Sequence, residues 1–106
     1  MTFVGDHIST LATPAFIIDK ETIERNCRKM LERAADAGVK LRGQTKTHKT
    51  VEGGILQTGG TKRGIVTSTL VECDMYAEAG FDDILYGFPF VPSHFERVYV
   101  LTQVRQ

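Results

Sequence analysis

The sequence predicts an α/β fold in which a parallel sheet is built from alternating β-α units. Short runs of β-branched and aromatic residues alternate with longer segments in which apolar residues recur at helical spacing. Short glycine-containing turns join these segments. Strands that alternate with helices in this way form parallel sheets with right-handed crossovers. The predicted order of elements is β-α-β-α-β-α-β-α.

The first predicted unit is a short strand followed by the clearest helix of the chain. Ala15 to Ile18 is a β-prone run, and Asp19 is a good helix N-cap. Apolar residues then recur at helical spacing from Lys20 to Ala37, and Gly38 supplies the C-terminal stop. The apolar stripe, in which Cys27 and Met30 are expected to be core residues, consists of Ile23, Cys27, Met30, Leu31 and Ala34.

The second unit combines a strand from Val39 to Thr45 with a weaker helix from Val51 to Thr58. Gly53 and Gly54 lower the helix propensity of that segment. The polar loop "GQTKTHKT" joins the two elements. The stretch "TGGTKRG" that follows is a predicted turn, because it lacks the spacing of a phosphate-binding loop and leads into a strand.

Two further units complete the predicted order. Gly64 to Ser68 is a strand, and Thr69 with Glu72 has the capping-box spacing of a helix that continues to Ala79 before Gly80. Ile84 to Gly87 is the last strand. Ser93 and Glu96 repeat the capping-box spacing before a final helix whose apolar residues are Phe95, Val98, Leu101 and Val104.

Composition limits the classes of function that need consideration. The 106 residues suit one domain, and 13 Lys plus Arg balance 13 Asp plus Glu. No overall field therefore favours nucleic acid or an acidic membrane as a partner. Cys27 and Cys73 lack CxxC or metal-ligand spacing, so we expect free thiols and no metal site. No segment has the pattern of a signal peptide or a membrane span, and we expect a cytoplasmic protein.

Side-chain alternation predicts the direction of the residues in the second strand. Val39 and Leu41 would face the covering helices, which leaves a polar face directed elsewhere, as in a barrel lumen. That polar face consists of Lys40, Arg42, Gln44 and Lys46. Lys46 would then stand at the carboxyl end of the strand, where α/β folds bind their ligands.

Two architectures are compatible with the order of elements. One is a small flavodoxin-like parallel sheet of four strands, which the chain length favours. The other is the first part of a (β/α)8 barrel, which needs about 250 residues when complete. The lysine motif favours the second architecture.

The chain resembles the amino-terminal part of the D-serine dehydratase family. The resemblance lies in "TPAFIIDKETIERN", in "VKLRGQTKTHKTVEGGILQTGGTKRGIVTSTLVE" and in "AEAGFDDILYGFPF". These enzymes are similar to alanine racemase and D-threonine aldolase and have a fold-type III pyridoxal-phosphate barrel. The resemblance implies that residues 1–106 form a partial barrel domain, with a first strand and helix in Ala15 to Gly38 and the first β-α units of the barrel in Val39 to Gln106.

The resemblance also implies a reaction and its cofactors. The family uses pyridoxal 5'-phosphate, held by a Schiff base to the first lysine of the KTHK motif, which is Lys46 here, and it converts D-serine to pyruvate and ammonia. Zinc assists in the full-length family, but its ligands lie beyond this chain. D-amino acids are the expected substrates, and a homodimer is an expected assembly. Gly43-Gln44 stands where the family usually has Pro-His.

Three alternatives remain open at this point. The chain is a fragment or short isoform that is inactive alone, a non-enzymatic relative that associates with a longer chain, or part of a D-threonine aldolase-like enzyme. The resemblance also implies a weaker role beside the cofactor for His48, whose alternative is a loop histidine exposed to water. Tyr86 ends the last strand and is a weaker candidate for the cofactor site, although core packing is the more common position of such an aromatic. His7 and His94 have no partner that spacing identifies and are expected to be structural.

Overall fold

The computed structural model describes residues 4–103 and contains three strands and four α-helices within that range. A short 3₁₀ turn, Ile8–Thr10, precedes the first helix, and a second 3₁₀ turn, Pro92–His94, precedes the last. The helices and strands are α1 (Lys20–Asp36), β1 (Gly43–Gln44), α2 (Val51–Gln57), β2 (Arg63–Thr67), α3 (Leu70–Glu78), β3 (Asp82–Tyr86) and α4 (Phe95–Gln103).

The three strands form one parallel sheet in the order β1-β2-β3. Gln44 is paired with Val66, and Val66 is paired with Leu85 on the next strand. Each strand is therefore followed by a helix and then by its immediate neighbour in the sheet. The predicted α/β class with a parallel sheet is confirmed.

Both α2 and α3 pack on the same face of this sheet. The fully buried residues Ile65, Tyr76 and Phe81 form the core. Val51 and Ile55 from α2 and Met75 and Ala79 from α3 pack against them, together with Ile84 of β3. A sequential strand order with helices on one face is the arrangement of a (β/α)8 barrel, whereas a doubly wound sheet reverses its order and carries helices on both faces. The flavodoxin-like alternative is therefore not supported.

The ends of α1 and α3 follow the predicted capping chemistry. The backbone N–H of Thr22 donates to Oδ1 of Asp19 at 2.8 Å, and that hydrogen bond lowers the pKa of the Asp19 carboxyl. At the start of α3, the N–H of Glu72 donates to Oγ1 of Thr69, whose hydroxyl donates to Oε2 of Glu72 at 2.7 Å. The capping-box prediction for α3 is confirmed.

The prediction of a second capping box, before α4, is wrong. Ser93 lies inside the 3₁₀ turn Pro92–His94, and the residue in the N-cap position of that turn is Val91, which makes no side-chain cap. Pro92 fixes the local backbone angle that starts the turn, so the chain is already helical before it reaches Ser93. The predicted stripe residue Val104 lies outside the described residues.

Two predicted strands differ from the observed ones. Ala15 to Ile18 is not a strand, because no described strand lies beside it, and Phe16 is 77% exposed. The strand predicted from Val39 to Thr45 is paired only at Gly43–Gln44. One further backbone hydrogen bond follows it, from the N–H of Thr45 to the carbonyl of Val66. β-propensity alone does not make a strand, since a ladder needs a partner with matching backbone.

The expected burial of α1 is also incomplete. Ala34 is the one residue of α1 that is buried within the described part of the chain, and Met30 is 45% exposed. Cys27 is partly buried, and both cysteines are free thiols as expected. The helix contacts mainly α2, so its stripe is only partly covered. No helix within residues 4–103 is long and apolar enough to cross a bilayer.

Candidate functional site at the carboxyl end of the first strand

Lys46 lies in the turn that follows β1, and its side chain is exposed. The strand ends at Gln44, and Thr45 is fully buried on the helix-facing side, where its hydroxyl donates to the carbonyl of Val66 at 3.1 Å. Sheet pairing therefore does not fix the direction of the Lys46 side chain, and the lumen-facing direction that strand alternation indicates stays a prediction. Its position at the carboxyl end of a parallel strand is where β/α proteins place reactive side chains.

Alternation does hold for the residues before the turn, with one exception. Arg42 and Gln44 lie on the face opposite the helices, because Arg42 reaches Asp83 of β3 and Gln44 is paired with Val66. Val39, which was expected to face the helices, is 61% exposed. It lies outside the paired segment, so no neighbouring strand fixes its direction.

The side chain of Gln44 holds the backbone of Lys46. Its Oε1 atom accepts a hydrogen bond from the N–H of Lys46 at 3.2 Å. The other end of the same amide lies near Gly87, because a Cβ built at Gly87 would be 3.7 Å from Nε2 of Gln44 and 2.7 Å from Cγ1 of Val66. Gln44 therefore spans from the lysine turn toward the end of β3 across the central strand.

His48 is held within the loop by both ring nitrogens. The backbone N–H of Thr50 donates to Nδ1 at 3.1 Å, which makes Nδ1 an acceptor. The proton of the neutral ring is therefore on Nε2, and Nε2 lies 3.0 Å from Oε1 of Gln57. His48 thus serves the structure of the loop, and its predicted role beside a cofactor stays a prediction.

Gln57 is the residue that sequence reasoning missed at this site. Its Nε2 atom donates to the carbonyl of Gln44 at 3.1 Å, while its Oε1 atom faces His48. A Cβ at Gly43 would be 3.3 Å from Cδ of Gln57, so glycine lets this side chain lie flat against β1. One indication was available: Gln57 is a polar residue that follows the apolar pair Ile55-Leu56 within the "LQTGG" part of the motif.

Tyr86 is not brought together with Lys46. It is paired with Thr67, whose hydroxyl contacts the thiol of Cys73 on α3, so both lie on the helix-facing side of the sheet. The ring of Tyr86 packs edge-on against Phe90 and His94, at centroid distances of 6.4 and 6.1 Å. This placement makes Tyr86 a packing residue of the β3–α4 connection, and its weak cofactor role stays a prediction that the geometry does not favour.

The face of the sheet opposite the helices is open. Val66 and Leu85 lie side by side on it, and Leu85 is 47% exposed. Toward the amino ends of the strands, Arg42 and Asp83 form an ion pair across Gly64 of the central strand. A face with apolar residues near the carboxyl ends and an ion pair below them resembles the layered interior of a barrel.

The described residues contain no group of three or more His, Cys, Asp or Glu side chains that could hold a metal ion. Burial raises the pKa of the Cys73 thiol, and its contact with Thr67 opposes this effect only partly. Burial likewise raises the pKa of Cys27. Neither thiol therefore has the lowered pKa of a reactive or metal-binding cysteine.

Known proteins of the same kind are found by sequence, although no protein-family model matches the chain. D-serine dehydratase of Schizosaccharomyces pombe is 42% identical over 107 residues, which cover 96% of this chain and 26% of that protein. D-serine dehydratase of Dictyostelium discoideum is 41% identical and covers 92% of this chain and 26% of its own length. D-threo-3-hydroxyaspartate dehydratase of a Delftia species is 39% identical over 87 residues, which cover 82% of this chain and 23% of that protein.

Solved structures give the same result. A variant of D-threo-3-hydroxyaspartate dehydratase superimposes with a TM-score of 0.85 at 35% identity, over 93% of this chain and 25% of that one. An alanine racemase-like protein from Idiomarina loihiensis gives a TM-score of 0.84 at 32% identity, over 92% of this chain and 26% of that one. The fold of the described residues is thus that of part of an alanine racemase-like (β/α)8 barrel.

The chain belongs to the D-serine dehydratase family and corresponds to an amino-terminal part of its members. It spans about a quarter of the length of the curated relatives that it matches. The resemblance inferred from the three quoted segments is confirmed.

Proposed function

We propose that the chain is the lysine-bearing part of a pyridoxal-phosphate-dependent lyase that acts on D-serine or a similar 3-hydroxy D-amino acid. The observation that carries the proposal is Lys46, a primary amine exposed at the carboxyl end of the first barrel strand and held by Gln44. Relatives named D-serine dehydratase support the substrate class. Residues 1–106 would then be a partial barrel domain, as the resemblance implies.

The residues present fit the aldehyde end of pyridoxal phosphate. Nζ of Lys46 would hold the aldehyde end of the cofactor, and the open face that carries Val66 and Leu85 would offer an apolar surface to its ring. When bound, pyridoxal phosphate draws electrons from the α-carbon of an amino acid. Nζ of Lys46 would be the group that takes the α-proton of a bound amino acid.

The remainder of the chemistry needs groups that the described residues do not supply. The zinc that the family resemblance implies would supply Lewis-acid chemistry at the β-hydroxyl, and the described residues contain no group of side chains that would hold it. One solved structure that this chain resembles, with a TM-score of 0.84, is the metal-free form of a variant of D-threo-3-hydroxyaspartate dehydratase. We therefore expect cofactor attachment by this chain and no release of ammonia from D-serine.

Cofactor attachment is tested by trapping. Purified protein is treated with pyridoxal phosphate and borohydride, digested, and the modified lysine is identified by mass spectrometry. We expect the adduct on Lys46 in the unchanged protein and in Lys49→Ala, which alters another exposed lysine of the same loop, and we expect its loss in Lys46→Ala. Equal labelling of all exposed lysines would contradict the proposal.

A second candidate is a non-enzymatic chain that associates with a longer chain of the same family. The open face of the sheet favours it, because Leu85 exposes apolar surface there, and Phe88, just beyond β3, is a second exposed apolar side chain. Mixing the chain with a longer family member and measuring co-elution in gel filtration tests this candidate. Elution of each chain at its own volume would exclude association, and a homodimer would elute earlier than the monomer without any added partner.

A further inference from the structure

We infer that Gln57 is a positioning residue for Lys46 and that it acts through the tautomer of His48. The inference rests on the proposed role of Lys46. Gln44 and His48, which lie two positions before and two positions after Lys46, are both bound by one side chain from α2. That side chain is the amide of Gln57.

The orientation of the Gln57 amide follows from its partners. A backbone carbonyl can only accept, so the group that faces the carbonyl of Gln44 at 3.1 Å must be the NH₂ of Gln57. The carbonyl oxygen of the amide is therefore turned toward Nε2 of His48, 3.0 Å away. This oxygen can only accept, so Nε2 of His48 must carry a proton.

The other side of the imidazole requires the same tautomer. The N–H of Thr50 can only donate, and it points at Nδ1 of His48 at 3.1 Å. Nδ1 is therefore unprotonated in the neutral ring. The two independent constraints agree, so the hydrogen bonds run in one direction, from Thr50 to His48, from His48 to Gln57, and from Gln57 to Gln44.

This chain of hydrogen bonds ends at the backbone of Lys46. Gln44, whose carbonyl is held by Gln57, uses its side-chain oxygen to accept from the N–H of Lys46. The loop is closed from within as well, because the N–H groups of His48 and Lys49 both donate to the carbonyl of Thr45. Lys49 has a left-handed backbone conformation, with φ of 50°, which these hydrogen bonds maintain.

The consequence for Lys46 is a fixed Cα with a free side chain. Bond formation with an aldehyde requires Nζ to reach the aldehyde carbon, and the aldehyde oxygen leaves as water with two protons of the amine. The rate of that step depends on how well the amine is positioned, and a misplacement of about 1 Å can cost about a hundredfold. Loss of the Gln57 bridge would remove one hydrogen bond from each flank of Lys46.

The test distinguishes an effect of Gln57 on the position of Lys46 from an effect on the amount of folded protein. Lys46 reacts with saturating pyridoxal phosphate, and both the limiting rate constant and the final amount of trapped Lys46 are measured in Gln57→Leu and in the matched surface control Gln103→Leu. We expect the rate constant to fall by about tenfold or more in Gln57→Leu, with the amount unchanged, and no change in Gln103→Leu. A general loss of folded protein would lower the amount and leave the rate constant of the remainder unchanged.

The tautomer is read independently of any reaction. Long-range ¹H–¹⁵N correlation spectra distinguish a protonated Nε2 from a protonated Nδ1, and we expect the Nε2–H form for His48. An Nδ1–H form would overturn the inference. If Gln57→Leu does not fold, a pair of His48 variants tests the positioning role instead. His48→Gln keeps a hydrogen-bond donor toward Gln57, whereas His48→Asn keeps only the acceptor toward Thr50.

We expect His48→Gln to react faster than His48→Asn. Equal rates in the two variants, or a Gln57→Leu variant that reacts as fast as the unchanged protein, would overturn the positioning role. Absence of a Lys46 adduct in both the unchanged protein and Gln103→Leu would instead reject the proposed function, and the positioning role with it. The two failures are therefore distinguishable.

Discussion

The imidazole ring of His48 lies directly against the backbone of Gly53 in α2. A Cβ built at Gly53 would be 2.5 Å from Nδ1 of the ring, which is closer than real Cβ contacts allow. The hydroxyl of Thr50 also caps this helix, since it accepts from the N–H of Gly53 at 3.1 Å. The loop that carries Lys46 and the helix that follows it are therefore packed as one unit.

Gly53→Ala should destabilise the protein although alanine is the better helix former. The propensity gain is about 1 kcal/mol, whereas forcing the ring of His48 out of place should cost about 1–3 kcal/mol. Denaturant unfolding measures the net change. In a double-mutant cycle with His48→Ala, the cost of Gly53→Ala should shrink by about 1 kcal/mol or more, because the clashing ring is gone. Equal costs in both backgrounds would contradict this contact.

Tyr76→Phe should lower the free energy of unfolding by about 1 kcal/mol at neutral pH. The hydroxyl of Tyr76 donates to the carbonyl of Thr50 at 2.9 Å and so ties α3 to the loop before α2. The ring also packs edge-on against Phe81 at 5.1 Å, a contact that phenylalanine keeps. Tyr99→Phe, which changes a tyrosine that is 65% exposed, is the matched control and should have little effect.

The same substitution should change the alkaline limb of stability. Burial raises the pKa of Tyr76 in the folded protein. The folded state therefore favours the neutral phenol, and this contribution is complete below the unfolded pKa of about 10 and is lost as pH rises through the folded pKa. Unfolding measured from neutral pH to above pH 10 should show a steeper alkaline loss in the unchanged protein than in Tyr76→Phe. Parallel curves would contradict a buried, neutral Tyr76.

Asp83→Asn should cost less than Gly64→Ala, although only the first removes a charge pair. The side chains of Arg42 and Asp83 are 41% and 46% exposed, and ion pairs of this exposure contribute about 0–1 kcal/mol. Gly64 has φ of +78°, and a Cβ there would be 3.3 Å from the carbonyl oxygen of Leu41. A left-handed conformation alone costs a non-glycine residue about 1–2 kcal/mol. Chemical unfolding of both variants compares them, and an equal or reversed order would contradict this ranking.

Local sequence patterns predicted those elements that local physics controls. Asp19 and Thr69 cap their helices as their spacing indicates, because the capping hydrogen bonds involve residues only three positions apart. The helix-facing residue Ile65 was also correctly placed in a strand, since a buried strand between two turns has a distinctive composition. Lys46 was identified differently, by the resemblance of the KTHK motif to the family, and its role stays a prediction.

Sequence patterns were less informative where a residue's structure depends on contacts with distant parts of the chain. Phe16 and its neighbours have strand composition, yet no described strand pairs with them. Gly53 and Gly54 were expected only to weaken α2. In the structure they are buried, and a Cβ at Gly54 would lie 2.9 Å from the ring of Tyr76, so these glycines allow side chains from elsewhere to approach the helix.

The sequence by itself determined the last three β-α units and the capped starts of α1 and α3, because short-range hydrogen bonding and hydrophobic periodicity depend on neighbouring residues. Lys46 became the candidate site residue through the family resemblance. Only the tertiary structure decided that Lys46 lies in a turn beyond the strand, that Tyr86 faces the helices, and that Gln57 joins Gln44 to His48. The physical reason is that these placements depend on strand register and on contacts between residues at least 9 positions apart in the sequence. No local sequence pattern specifies such contacts.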